Sequence, residues 1–207
     1  MLHDLLHLDL QLFHLINGEW HHPWIDAVMP FWRDKKTWIP FYLLLSGFLF
    51  YKYRWKGVVL VAAVGLTVGL ADLMSSKVLK KNVERLRPCQ NTEVRADSRL
   101  LVGCGHSYSF TSSHAANHFA MATFLALTLG RAYRRIRWPL MLWAGSIAYG
   151  QVYVGVHYPL DVVFGALVGI LIAYVMAKVY LRWDAVRIDW EEKRNEGRSG
   201  SPTHSIP

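Results

Sequence analysis

Three short stretches of this chain carry residue types that can do chemistry together. "GVHYPLDVVFG", Gly155 to Gly165, opens a long apolar segment with a histidine and an aspartate four residues apart. On a helix those positions share a face, so the Asp161 carboxylate can accept a hydrogen bond from the His157 imidazole and hold its tautomer. A polar pair at the mouth of an apolar helix is costly and marks a functional site by default; the bland alternative is a helix-start aspartate beside an interfacial histidine. "TSSHAAN" puts His114 just inside the start of another apolar segment, with Thr111 or Ser112 as N-cap. Such a helix start offers unpaired backbone N–H groups, which bind anions. "KKNVERLRP" adds Lys80 and Arg87; the planar fork of arginine suits two phosphate oxygens at once. An anion cradle, a nucleophile, an orienting base and a proton donor are what phosphoryl transfer requires.

The elements that must position these residues are membrane helices. Of the 207 residues 53% are hydrophobic and 18% charged, against roughly 25% charged in soluble chains. The charges cluster and leave long apolar runs, and helices satisfy their own backbone groups in lipid. The pattern predicts an all-α integral membrane protein, a bundle of about five to six transmembrane helices with N-terminal interfacial helices. Spans are expected at 38–51, 57–79, 112–129, 138–156 and 160–181, each near the roughly 20 residues a bilayer requires except the short first one. Gly65 and Gly69, and again Gly165 and Gly169, have the spacing that lets helices approach closely. Residues 1–36 read as an amphipathic, interfacial segment anchored by Trp20, Trp24 and Trp32, with a broken sixth span as the rival. Residues 37–183 form the transmembrane domain, and 184–207 a cytoplasmic tail that is disordered from about Asn195.

Three basic segments set the orientation. Lys52, Arg54 and Lys56 lie between the first two spans, Arg131, Arg134, Arg135 and Arg137 between the third and fourth, and more follow the last. Five spans put all three on one side, which the positive-inside rule makes cytoplasmic. These residues account for much of the +8 formal charge, and nucleic acid is not an expected partner. The loop from Lys81 to Thr111 then lies outside, although it is itself basic, with Arg85, Arg87, Arg95 and Arg99. Cys89 and Cys104 sit in it; an oxidising compartment would join them, and two free thiols are the alternative.

These stretches resemble the signature of the type 2 phosphatidic acid phosphatase superfamily, which is K-x6-R-P, then P-S-G-H, then S-R-x5-H-x3-D. "KKNVERLRP" matches the first part throughout, "TSSH" matches the second at Ser112 and His114, and "GQVYVGVHYPLD" matches the third at His157 and Asp161. The resemblance implies His157 as nucleophile, Asp161 as its orienting carboxylate and His114 as acid for the leaving group. It further implies phosphate binding by Lys80, Arg87, Ser112 and the N–H groups around Ser113, without metal or cofactor. A His/His/Asp cluster could hold zinc, but the cations around it argue for an anion. The departure is Gln151, which stands where the family has arginine. Its amide can hydrogen-bond phosphate but brings no charge, so Arg85 or Arg95 is expected as the supporting cation.

Asp72, inside the second span, reads as an interhelical hydrogen-bonding residue, and His118 as a packed histidine one turn beyond His114. The expected activity is metal-independent release of phosphate from a membrane lipid phosphate or diphosphate at the outer face of a bacterial inner membrane, facing the periplasm. Undecaprenyl diphosphate is the first choice, on family analogy. Phosphatidylglycerol phosphate, phosphatidic acid and lipid A phosphate are alternatives, as are phosphotransfer to another lipid and a degenerate protein that binds without turnover.

Overall fold

The computed structural model describes residues 2–199. Helices occur at each of the five places where the sequence puts a span: α3 (Ile39–Tyr53), α4 (Trp55–Leu73), α7 (Ser113–Leu127), α9 (Arg137–Tyr153) and α10 (Pro159–Ser199). The shorter α-helices are α1 (Leu2–His14), α2 (Pro23–Trp32), α5 (Lys80–Val83), α6 (Thr92–Arg95) and α8 (Leu129–Ala132). No strand occurs among the described residues. Two continuous stretches, Trp55–Val83 and Pro159–Asp184, are long and apolar enough to cross a membrane. The first exceeds the expected span because α4 passes through a π-helical segment, Met74–Leu79, into α5. α10 likewise runs past residue 183, and the tail expected to be disordered from Asn195 is helical to Ser199; residues 200–207 lie outside the described residues.

The most extensive contact is between α7 and α10. It depends on one of the two glycine pairs. A Cβ on Gly165 would stand 2.5 Å from the Ser112 carbonyl oxygen, and one on Gly169 would collide with that of Ala116. The helices therefore pack backbone to backbone. A Cβ added to Gly65 or Gly69 would meet nothing within 4 Å, so that pair makes no such contact. Phe124, Ala116, Ala120, Ala173 and Ala177 form the core around this seam, while Leu43, Leu44, Leu142, Leu167 and Leu171 are exposed on the outside. Large apolar side chains facing outward suit a lipid environment.

The N-terminal segment is more than an interfacial anchor. Trp20 and Trp24 are exposed, but Phe13, Asp9 and Asn17 are buried against the bundle. Asn17 donates to the carbonyls of Arg99 (2.8 Å) and Tyr153 (2.7 Å) and accepts from the Arg99 N–H (2.7 Å). Gly155 makes that junction possible. Its φ is +85°, and a Cβ there would collide with the Arg99 carbonyl oxygen. Arg99 is also paired with Asp26 of α2, whose other oxygen accepts from the Tyr153 hydroxyl at 2.6 Å. Opposite this end, Lys52 donates to the Tyr133 hydroxyl at 2.7 Å, so the two basic loops meet at the other pole of the bundle.

Candidate active site

The starts of α7 and α10 and the end of the α4–α5 helix converge at the pole away from those basic loops. Ser112 is the N-cap of α7: its Oγ accepts from the Ala115 N–H at 3.4 Å. Its own N–H donates to the Asp161 carbonyl at 2.9 Å, tying the two helix starts together. In the first turn of α7 the N–H groups of Ser113 and His114 have no intrahelical acceptor and point outward, where an anion is favoured. The π-helical segment supplies Ser75, buried between the hydroxyls of Thr111 and Ser113 at 3.0 Å from each.

His157 and Asp161 meet, but not directly. Nδ1 of His157 is 3.6 Å from Oδ2 of Asp161 and 3.3 Å from the Ser109 hydroxyl, which donates to the same carboxylate oxygen at 2.5 Å. Oδ2 also accepts from the Tyr158 N–H at 2.9 Å. With Nδ1 engaged, Nε2 is the ring nitrogen left free. Burial pushes the His157 imidazole down to about 4; the neighbouring Asp161 carboxylate opposes this, and the charges of Arg87 and Lys80 reinforce it. His157 is therefore a neutral imidazole, able to act as a nucleophile, at neutral pH.

The cations are braced by carbonyl oxygens. Lys80 donates to Tyr108 (2.7 Å) and Ser109 (3.3 Å), and Arg87 to Ser107 (2.7 Å) and Val156 (3.2 Å), as well as to the Ser107 hydroxyl (2.9 Å). The loop leading from Arg87 to Ser107 is closed by a disulfide between Cys89 and Cys104. His118 is bonded at both ring nitrogens: Nδ1 donates to the His114 carbonyl at 2.7 Å, and Nε2 accepts from the Tyr42 hydroxyl at 3.2 Å. That fixes it as a packed, neutral support below His114, whose ring is parallel to it.

Three expected positions differ. Arg85 does not face the cradle. It lies between two carboxylates, donating to Asp161 at 2.8 Å and Asp9 at 2.6 Å, with its guanidinium over the Tyr158 ring. Arg95 is exposed on α6. Gln151 is fully buried, its amide N–H only 3.5 Å from the Arg33 and Ile147 carbonyls and its Oε1 without a partner. Ser109, Asp9 and Arg33 are the residues that sequence reasoning missed. Asp9 had a signal, as an acid inside the apolar run "HLDLQLF". Ser109 and Arg33 lie in connecting segments with no periodicity to mark them.

A cleft of about 220 Å³ opens beside His114, between α3, α4 and α7. Val68 and Met121 give it apolar walls, and Lys35, Tyr42, Asp72 and Asn117 give it polar ones; Asn117 donates to Asp72 at 2.9 Å. Among the described residues no three His, Cys, Asp or Glu side chains are grouped as metal ligands.

The profile of the PAP2 superfamily matches residues 56–185, more than half of the chain. A lipid A 4'-phosphatase of Bacteroides thetaiotaomicron is 35% identical over 172 residues, 82% of this chain and 75% of that protein. The undecaprenyl-diphosphatase BcrC of Bacillus subtilis is 26% identical over 81% of this chain and 82% of its own. Among solved structures, the crystal structure of Aquifex aeolicus LpxE superposes with a TM-score of 0.66 at 30% identity, covering 83% of this chain and 95% of that one. The three signature stretches lie within the matched segment, in order, and the chain belongs to the PAP2 superfamily, as a membrane lipid phosphatase.

Proposed function

We propose that the protein hydrolyses the phosphate monoester of a membrane lipid with a sugar-like polar head, of the lipid A 4'-phosphate class, at the outer face of the inner membrane. The observation that carries the substrate class is the cleft on the His114 side. Its Asp72–Asn117 pair and Lys35 offer acceptors and donors suited to hydroxyl and amide groups of a sugar head. The 35% identical relative named for lipid A 4'-phosphate supports the same choice.

In this reading phosphate sits among Lys80, Arg87 and the Ser113 and His114 N–H groups. The Nε2 lone pair of His157 attacks phosphorus as the P–O bond to the lipid breaks, and His114 gives its proton to the departing oxygen. Water then attacks the phosphohistidine, passing a proton to His114. The P–N bond breaks, and inorganic phosphate leaves with His157 restored. No cofactor enters the scheme. The outward orientation is supported by the separation of the site from the basic loops joined through Lys52 and Tyr133.

Undecaprenyl diphosphate, favoured from sequence, is the second reading, supported by the 26% identical diphosphatase. Its leaving group is itself a phosphate, which would sit against the Asp72 carboxylate. Purified protein in detergent, without added metal, should release phosphate from a lipid A-type glucosamine phosphate with a higher kcat/KM than from undecaprenyl diphosphate. The opposite ranking overturns the substrate assignment, and no release from either overturns the enzymatic reading. A thiol introduced at Asn91 should be labelled from outside intact cells and one at Arg134 protected; the reverse places the site inside.

A further inference from the structure

We propose that Arg33, from the segment joining α2 to α3, is a phosphate-binding residue of this active site and supplies the charge that Gln151 lacks. The inference rests on the phosphatase reading above and adds a residue from outside the three signature stretches.

Gly150 and Gln151 shape the place that Arg33 occupies. A Cβ on Gly150 would lie 2.8 Å from the Met29 sulfur and 3.1 Å from the Arg33 Cβ, so α9 presents a bare backbone for the end of α2 to dock on. Next to it, the Gln151 amide lies beneath the Arg33 carbonyl oxygen at 3.5 Å. The Arg33 backbone is held on both sides. Its N–H donates to the Met29 carbonyl at 3.1 Å, the Trp32 indole donates to Ser146 of α9 at 2.9 Å, and the Trp38 indole donates to the Trp32 carbonyl at 2.8 Å. Trp38 also packs against Trp143 of α9. This segment is anchored in the way a binding group must be.

The side chain itself has no internal use. Nε of Arg33 is buried without a hydrogen-bond partner, and Arg33 forms no ion pair among the described residues. Arg85 and Arg99, by contrast, are both neutralised by carboxylates. Burial lowers the Arg33 pKa, only partly opposed by neighbouring Asp34. Its backbone carbonyl sits over Gln151, the position where the family carries arginine, and its charge reaches Arg87 and the His114 ring. A guanidinium without a counter-charge, within electrostatic reach of a second cation and a histidine, is destabilising until an anion arrives. A phosphoryl group would relieve Arg33 and Arg87 together and accept from the planar fork of Arg33.

The test compares Arg33→Ala, Arg33→Gln and Arg33→Lys in the full-length detergent-purified protein. Three quantities are read: kcat/KM on a lipid phosphate, inhibition by inorganic phosphate, and the thermal unfolding midpoint. Arg33→Ala and Arg33→Gln should each lower kcat/KM by about 100-fold, the scale of a lost transition-state donor. Both should weaken phosphate inhibition by about tenfold or more. Arg33→Lys should retain more phosphate inhibition than Arg33→Gln, because it keeps the charge. Unfolding midpoints should be unchanged or raised in ligand-free protein, since an uncompensated cation has been removed. Variants within about threefold of wild type in both kinetic measures overturn the proposal. So does an equal loss for Lys and Gln accompanied by a fall in the midpoint, which would make Arg33 structural. A wild-type protein that neither releases nor binds phosphate instead overturns the phosphatase reading itself.

Discussion

The hydroxyl of Ser109 lies 2.5 Å from Oδ2 of Asp161 and bridges it to His157, whose Nδ1 is 3.6 Å from that oxygen. The carboxylate therefore orients the imidazole partly through a third side chain. His157→Ala should abolish phosphate release in a folded protein, because no nucleophile remains. Asp161→Asn should leave a small residual rate. Ser109→Ala should cost about tenfold in kcat with little change in KM, since it loosens the ring without touching the phosphate cradle. Near wild-type turnover by folded His157→Ala would refute the nucleophile assignment.

The buried, neutral state of His157 has a pH signature. With the imidazole pushed down to about 4, the nucleophile stays unprotonated through the mildly acidic range. The acid limb of kcat/KM should therefore lie well below the usual histidine range of about 6.5. The same shift bears on stability. Between the unfolded and folded values the unfolded chain binds more protons at this residue, so its contribution falls as pH drops from about 6.5 toward 4. Rate profiles and unfolding midpoints across that window check both; an acid limb centred near 6.5 would contradict the first.

Asp9 joins the N-terminal helix to the site. Its carboxylate accepts from Arg85 at 2.6 Å and from the Leu160 N–H at 2.8 Å, at the start of α10. Burial raises its pKa, against the hydrogen bonds from Arg85 and Leu160. Asp9→Asn leaves Arg85 with Asp161 as its one remaining carboxylate partner and should draw that carboxylate away from His157. We expect a destabilisation of about 3 kcal/mol, the scale of breaking a buried pair, and a lower kcat. Denaturant unfolding and steady-state kinetics on the same preparation measure both.

The Cys89–Cys104 disulfide closes the loop between Arg87 and Ser107, on which the Arg87 guanidinium is anchored. For cysteines 15 residues apart, loss of the link should cost about 3 kcal/mol in the chain-entropy model. The double Cys→Ser variant should unfold earlier and show a raised KM, because Arg87 loses a firm support. Mass spectrometry without reductant should find the two thiols joined in protein from an oxidising compartment.

Helix positions and the proximity of His157 to Asp161 were legible from local pattern. Apolar runs mark helices because a lipid environment imposes hydrogen-bonded backbone on each segment separately, and α3, α4, α7, α9 and α10 fall where those runs are. The His157/Asp161 spacing places both groups at one helix mouth by geometry alone. What spacing cannot tell is which residues distant in sequence share a volume. Gly165/Gly169 and Gly65/Gly69 have the same pattern, yet only the former meets another helix, because contact depends on the face a neighbour presents. Arg85 and Arg33 look equally free in sequence. The fold gives Arg85 two carboxylates, from α1 and α10, and leaves Arg33 without an ion pair among the described residues, within electrostatic reach of Arg87 and His114. A charge is defined by its surroundings, and the surroundings of both arginines are assembled from segments more than 70 residues apart. The sequence determined the chemistry available and the helices that carry it; the tertiary structure decided which cations are neutralised by carboxylates and which carry no ion pair among the described residues.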